Sequence, residues 1–318
     1  MSVHAPVQPR RSGLPGGRRP VMLAVVGDSA AGKTTLTRGL AEALGADRCV
    51  SVGVDDYHRH ERRERADLPF TPLHPDGNHL DIMEQHLQLL ATGQPVLKPV
   101  YDHATGTLTR PRYVAPREVV VVEGLHALTT RLARACFDVT VYLDPPEEVR
   151  HGWKVARDTA SRGYTEAAVR AELQRREPES AAHIRPQRRW ADIVVRFTPD
   201  PEGDGPGSGP LAAELLLRPT ATHPDLRRPL SSGPESPVDV RVVRDEDGTP
   251  VESIRIGGGA SEEQARALAE ALWRDTTATA PSPRDLGRVG DVGWSAPLAM
   301  TQLLLLHHLV RVREQLGG

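Results

Sequence analysis

The chain has 318 residues, enough to bury a full core and to hold one domain of about 200 residues plus a smaller one. Lys and Arg number 40 against 42 Asp and Glu, a formal net charge of -2, so no global field argues for nucleic acid or an anionic membrane as partner. Two cysteines, Cys49 and Cys136, are too few for a disulfide framework or a zinc site; both read as packed apolar residues, in keeping with a reducing, cytoplasmic setting.

Residues 1–20 carry Arg10, Arg11, Arg18 and Arg19 among Pro and Gly and read as a disordered tail. The apolar run Val21 to Val26 is too short for a membrane span and leads straight into Gly27, so it is the first strand. Gly27 to Thr34 then spells Gly-x-x-x-x-Gly-Lys-Thr, and an amphipathic helix follows over Thr34 to Leu44. A strand, this loop and a helix together make a phosphate-binding P-loop. Gly27 and Gly32 let backbone N–H groups turn inward around an anion, Lys33 reaches the outer phosphates, and the Thr34 hydroxyl is placed for Mg2+. The nucleotide-binding set is Gly27, Asp28, Ser29, Ala30, Ala31, Gly32, Lys33, Thr34 and Thr35. Such a loop serves switches, motors and kinases alike.

Further strand-like runs lie at Cys49 to Val54, Val119 to Val122, Val139 to Leu143 and Ile193 to Phe197, with helical patterns such as Leu80 to Leu90 and Pro146 to Ala160 between them. Val-rich strands alternating with helices predict an α/β fold, a P-loop kinase-type parallel sheet covered on both faces, spanning 21–198. Residues 199–210 read as a linker or loop. A smaller C-terminal α+β region, 211–318, follows, with strands Leu211 to Leu217, Val238 to Val243 and Val251 to Ile256, a hairpin turn at Asp245 to Gly248, and helices Glu262 to Trp273 and Pro297 to Leu316. No catalytic constellation is visible there, and its expected role is packing or assembly. The leucine-rich last helix has the length of a core helix, not of a membrane span.

Ligands bind such sheets at the carboxyl ends of strands. The second strand ends in Asp55 and Asp56, two carboxylates beside the P-loop that suit proton abstraction and metal binding; a solvated polar turn has the same composition and becomes the weaker reading only because of that loop. Val119 to Val122 runs into Glu123, an acid closing an apolar strand in the manner that orders Mg2+, whereas the nearby His126 reads as structural. Lys154, Arg157 and Asp158 fall within about one helical turn. More arginines follow, among them Arg162, Arg170, Arg175, Arg176, Arg185, Arg188 and Arg189; most read as a solvated surface, and the segment is a candidate lid bringing cations to a transferring phosphoryl group.

Taken together, the P-loop, VDDYHRHERR, HPDGNHLDIMEQHLQLLATGQPVLKPVYDHATGTL, VVVVEGLHAL, VYLDPPEEVRHGWKVARDTASRGY and HIRPQRRWADIVV resemble phosphoribulokinases of the phosphoribulokinase and uridine kinase family, nearest to the cyanobacterial and plant branch, from about Val21 to about Phe197. The resemblance implies ATP and Mg2+ as cofactors and D-ribulose 5-phosphate as acceptor. It makes Asp55 the catalytic base, with Lys33 and Asp158 also catalytic, and Asp56, Glu123 and Thr34 the metal side. His58, Arg62, Lys154, Arg157 and Arg162 match residues around the sugar phosphate and ATP, and Tyr101, Asp102 and His103 match an acceptor-facing motif. Glu177 departs from the pattern, standing where relatives often carry another basic residue. So do Ala31 and Gly53, which replace two regulatory cysteines of that branch. The expected partner is a small sugar phosphate, with no nucleic acid and no membrane; self-assembly is left open. Uridine kinase is the alternative within the family, and a non-catalytic nucleotide sensor the alternative outside it.

Overall fold

The computed structural model describes residues 18–200, 210–220, 223, 226, 238–276, 278–290 and 293–317. In chain order it runs β1 (Val21–Gly27), α1 (Lys33–Leu44), β2 (Cys49–Gly53), α2 (Leu80–Ala91), β3 (Val96–Asp102), β4 (Thr107–Val114), β5 (Val119–Gly124), α3 (Arg131–Ala135), β6 (Val139–Leu143), α4 (Glu147–Arg162) and α5 (Glu166–Glu179). After β7 (Ile193–Pro199) come β8 (Leu211–Leu217), β9 (Val238–Arg244), β10 (Pro250–Ile256), α6 (Glu262–Trp273), the short hairpin β11 (Arg288–Val289) and β12 (Gly293–Trp294), and α7 (Ala296–Gly317). Residues 1–17 of the expected tail and 201–209 of the expected linker lie outside the described residues.

All seven residues of β1 are buried, because the sheet is covered on both faces. Side chains alternate along the strand. Val21, Leu23 and Val25 join Leu36 and Leu40 of α1 and the leucines of α6 and α7, while Met22, Ala24 and Val26 join Met83, Leu87 and Leu90 of α2 on the opposite face. The sheet has eight strands in the order β2-β5-β1-β6-β7-β8-β10-β9. The first five are parallel, as expected; β8, β10 and β9 add to the far edge as antiparallel strands, with Phe197 opposite Ala213. One sheet thus runs from the P-loop strand into the C-terminal region. No helix among the described residues is long and apolar enough to cross a membrane, and Leu303–Leu306 of α7 are buried.

Besides the β7–β8 pairing, two buried polar contacts help bind the C-terminal region to the rest. On α7, the Gln302 amide donates to Leu36 O of α1 at 3.0 Å and accepts from Gly287 N at 2.7 Å. It lies so close to α1 that a Cβ on Gly39 would sit 2.2 Å from its nitrogen, which explains a glycine in mid-helix. At the β9–β10 turn, the Asp245 carboxylate is wholly buried, accepting from Arg188 Nη2 at 2.7 Å and from Arg218 Nε at 2.8 Å. Arg188 also donates to Asp144 at 2.8 Å. The two guanidiniums hold Asp245 far below the usual carboxylate range against the cost of burial.

Candidate active site

The site grows from the carboxyl end of β1. There Gly27 has φ +155°, and a Cβ on it would meet Leu143 O of the neighbouring strand at 2.6 Å. Ala30 and Gly32 take left-handed backbone, curling the loop into the start of α1, the kind of turn whose backbone N–H groups can cradle an anion. Lys33 Nζ donates to Gly27 O at 2.9 Å and Asp28 O at 2.8 Å. Burial lowers its pKa, while the carboxylates of Asp55, Glu123 and Asp28 pull it back up. The Asp28 side chain points away from the loop's mouth: it accepts from Ser29 N at 2.7 Å and from the Ser180 hydroxyl, with Arg150 Nη1 at 3.3 Å.

At the end of β5, Glu123 accepts from the Thr37 hydroxyl at 3.0 Å and lies 3.5 Å from the Thr34 hydroxyl. Burial raises its pKa, opposed by the Thr37 hydrogen bond and the Lys33 charge. Thr34 and Glu123 thus offer converging oxygens, the donor type that Mg2+ takes. No group of three or more His, Cys, Asp or Glu among the described residues could hold a metal alone. Such an ion would rely on ligand oxygens and water, as it does in P-loop kinases.

Asp55 sits in the turn Val54–Tyr57 after β2, on the wall of the same cavity as Lys33. Its charge is close enough to raise the pKa of Lys33 and of His58. His58 is buried, with Nδ1 2.8 Å from Asn78 Oδ1; burial pushes its pKa down to about 4, so the ring is neutral near pH 7. Tyr101 packs edge-on to both His58 and His103, with centroids 5.0 and 5.1 Å apart. Arg62 reaches the β3–β4 turn, donating to Ala104 O at 3.3 Å and to His103 O.

Two further expected residues turn away from the cavity, as Asp28 does. Asp56 turns away from the metal side: it takes an ion pair from the buried Lys98 and a hydrogen bond from Tyr101 N at 2.8 Å, so it braces β3 against β2. Asp102 closes the hairpin turn on Ala104 N at 2.9 Å and the Thr105 hydroxyl at 2.8 Å, and it is absent from the cavity wall.

The basic segment sorts itself by partner. On α4, Lys154 Nζ and Arg157 Nε converge on the two oxygens of Asp158 at 2.9 and 2.8 Å. Burial alone would raise the Asp158 pKa; these hydrogen bonds hold it down to about 2. The side chain of Arg162 lies outside the described residues. On α5, Glu172 holds Arg175 at 2.8 Å and also pairs with Arg176, all three on the cavity wall. Glu177 faces the other way, 2.7 Å from Arg185, so the departure noted in sequence falls outside the cavity. Arg188 belongs to the buried Asp245 cluster and Arg170 to a surface pair with Glu166.

These walls enclose about 1040 Å3. That is the upper end of the range for small-molecule sites and gives room for a nucleotide and a second ligand together. Sequence reasoning missed Arg65, whose guanidinium lies 4.6 Å from the Tyr101 centroid with a buried Nη2 that has no hydrogen-bond partner among the described residues. It also missed Thr37, Glu172 and the contributions of Leu211, Val289, Ser295 and Leu298 from the C-terminal region.

Residues 22–202 match the Phosphoribulokinase / Uridine kinase family. The chain belongs to this family. Its members are kinases, phosphotransferases with an alcohol acceptor. A phosphoribulokinase of Synechocystis sp. is 40% identical over 181 residues, covering 57% of this chain and 54% of that protein. The chloroplastic phosphoribulokinase of Mesembryanthemum crystallinum is 31% identical over 222 residues, covering 64% and 56%. The alignments therefore span about half the length of these relatives. The solved phosphoribulokinase from Rhodobacter spheroides shares the fold, with a TM-score of 0.56 and 19% identity over 80% of this chain and 99% of that one.

Within this member of the phosphoribulokinase and uridine kinase family, neither cysteine lines the cavity wall. Cys49 is buried at the starting end of β2 with its thiol pushed up to about 11 by burial; Cys136 follows α3, its thiol also raised by burial. A thiol held protonated reacts slowly, whether buried like Cys49 or half-buried like Cys136. Activity is therefore expected to be the same in reduced and oxidised dithiothreitol. Reversible loss on oxidation that disappears in Cys49→Ser would overturn this.

Proposed function

We propose that the chain is an ATP- and Mg2+-dependent kinase acting on a sugar phosphate, converting D-ribulose 5-phosphate to D-ribulose 1,5-bisphosphate. The observation that carries the reading is that Asp55 lines one cavity with the P-loop lysine, the neutral His58 and the cations Arg62 and Arg65, with its charge felt by Lys33, His58 and Arg65. A base, a phosphoryl donor site and a cationic acceptor site are then contiguous. The 40% identity to a protein named phosphoribulokinase supports the choice of acceptor. In this mechanism Asp55 takes the acceptor's hydroxyl proton while Lys33 and the cations of α4 and α5 stabilise charge on the transferring group. Mg2+, held through Thr34 and Glu123, would supply further neutralisation of the ATP phosphates.

A uridine kinase needs the P-loop and Asp55 but no cations for an acceptor phosphate, so the acceptor end separates the two readings. Purified protein with Mg-ATP is to be offered ribulose 5-phosphate, uridine and other pentose and hexose phosphates, with ADP release measured for each. Ribulose 5-phosphate is the expected substrate; turnover of uridine alone would sink the assignment. Arg62→Ala is expected to raise the KM for the sugar phosphate by about 10- to 100-fold, the equivalent of a charge-assisted pair worth about 1.5–3 kcal/mol, with ATP affinity barely moved. Equal loss of ATP and acceptor affinity would remove Arg62 from that role.

A further inference from the structure

The strand order sets a direction for any nucleotide on this P-loop. From β1, the sheet passes through β5 to β2, which carries Asp55, on one side, and through β6 to β7 and β8 on the other. Under the proposed kinase function, on which this inference rests, the terminal phosphate must face the acceptor hydroxyl near Asp55. The nucleoside must then leave the loop in the opposite direction, toward the carboxyl end of β7.

The cavity wall changes character on that side. The Trp153 ring stands beside the P-loop, 3.5 Å from where a Cβ on Gly32 would lie. Phe197 near the end of β7 and Leu211 at the start of β8 line the same cavity, and Val289 of β11 with Leu298 of α7 add further aliphatic surface. Ser295, just before α7, contributes a hydroxyl. Val289 is 48% exposed although it lines the cavity wall, an apolar side chain only half covered by the described residues. An aromatic and aliphatic wall of this kind offers nothing to a phosphate and suits a flat heterocycle, which gains by stacking and by burial of its faces.

We propose that Trp153, Phe197, Leu211, Val289, Ser295 and Leu298 form the seat for the heterocyclic base of the nucleoside triphosphate. Four of the six lie beyond residue 202, outside the segment that matches the family. The C-terminal region thus takes part in nucleotide recognition while the phosphates are held by the matched segment.

The test compares Mg-ATP with Mg-tripolyphosphate, which has the phosphates and no base, by calorimetry on the full chain without acceptor. In Val289→Asn and, separately, Trp153→Ala, ATP is expected to bind about tenfold more weakly or worse, and tripolyphosphate within about twofold of the parent. Retained tripolyphosphate binding also reports an intact P-loop. Unchanged ATP affinity in both variants, or a parallel fall for both ligands, overturns the base seat and leaves the kinase reading standing. A parent that binds neither ligand overturns the kinase reading, and the seat with it.

Discussion

Asp55→Asn is expected to lower turnover by about 10²-fold or more while leaving ATP affinity and melting temperature close to the parent's. The substitution keeps the shape of the side chain and removes its capacity to accept a proton. Asp55 is not part of the buried ion pair that ties β2 to β3, because that task falls to its neighbour Asp56 with Lys98. Chemistry and folding are therefore separable at these two adjacent carboxylates. Initial rates at saturating substrates, ATP titration and a thermal melt on the same preparation check the expectation. A variant that turns over normally removes Asp55 from the role of base, and one that melts early shows that its charge is structural.

The largest effect on stability is expected far from the cavity, at Asp245. Asp245→Ala leaves the Arg188 and Arg218 guanidiniums buried without the carboxylate that joins them, since their other partners, Asp144 and Glu246 for Arg188 and Asp247 and the Arg189 carbonyl for Arg218, reach only one each. Removing one partner of a buried ion pair costs about 3–5 kcal/mol, more than the pair itself adds over a well-packed apolar substitute. For a chain of this size the melting temperature should fall by on the order of 10 °C. Denaturant unfolding of the two proteins gives the free-energy difference directly. A loss below about 1 kcal/mol would mean that water reaches the two arginines once the carboxylate is gone.

The parallel strands and the P-loop were legible because their causes are local. A continuous Val-rich run ending in glycine has few other outcomes, and β6 starts and stops at the residues expected for it, Val139 and Leu143. The β3–β4 hairpin was not read as strands. Its second strand exposes most of its side chains, and Pro99 and a register shift between Lys98 and Val100 break the alternation of the first. The adjacent acids show the same limit at the site. Asp55 and Asp56 are the same residue type one position apart after the strand, and the ion pair with Lys98, 42 residues beyond Asp56, marks the one that turns from the cavity. Likewise Arg65 was one arginine in a run of several, and nothing local distinguishes it; the Tyr101 ring brought over by the hairpin does. The C-terminal elements were predicted well as elements, yet their place beside the P-loop depends on how β8 pairs with β7, a long-range choice that periodicity does not encode.

The clasp between Gln302 and Leu36 joins residues 266 positions apart. Helix α1 presents Leu36 and Leu40 to a cluster completed by Leu303 and Leu306 of α7, so the helix that anchors the phosphate loop lacks one side of its packing until α7 is available. Contacts of such long sequence separation form late and slowly. During synthesis the nucleotide site therefore matures only once α7 has emerged, after the sheet that surrounds it has been made, and a ribosome-bound chain stopped before α7 would carry the loop's full motif without this side of its packing.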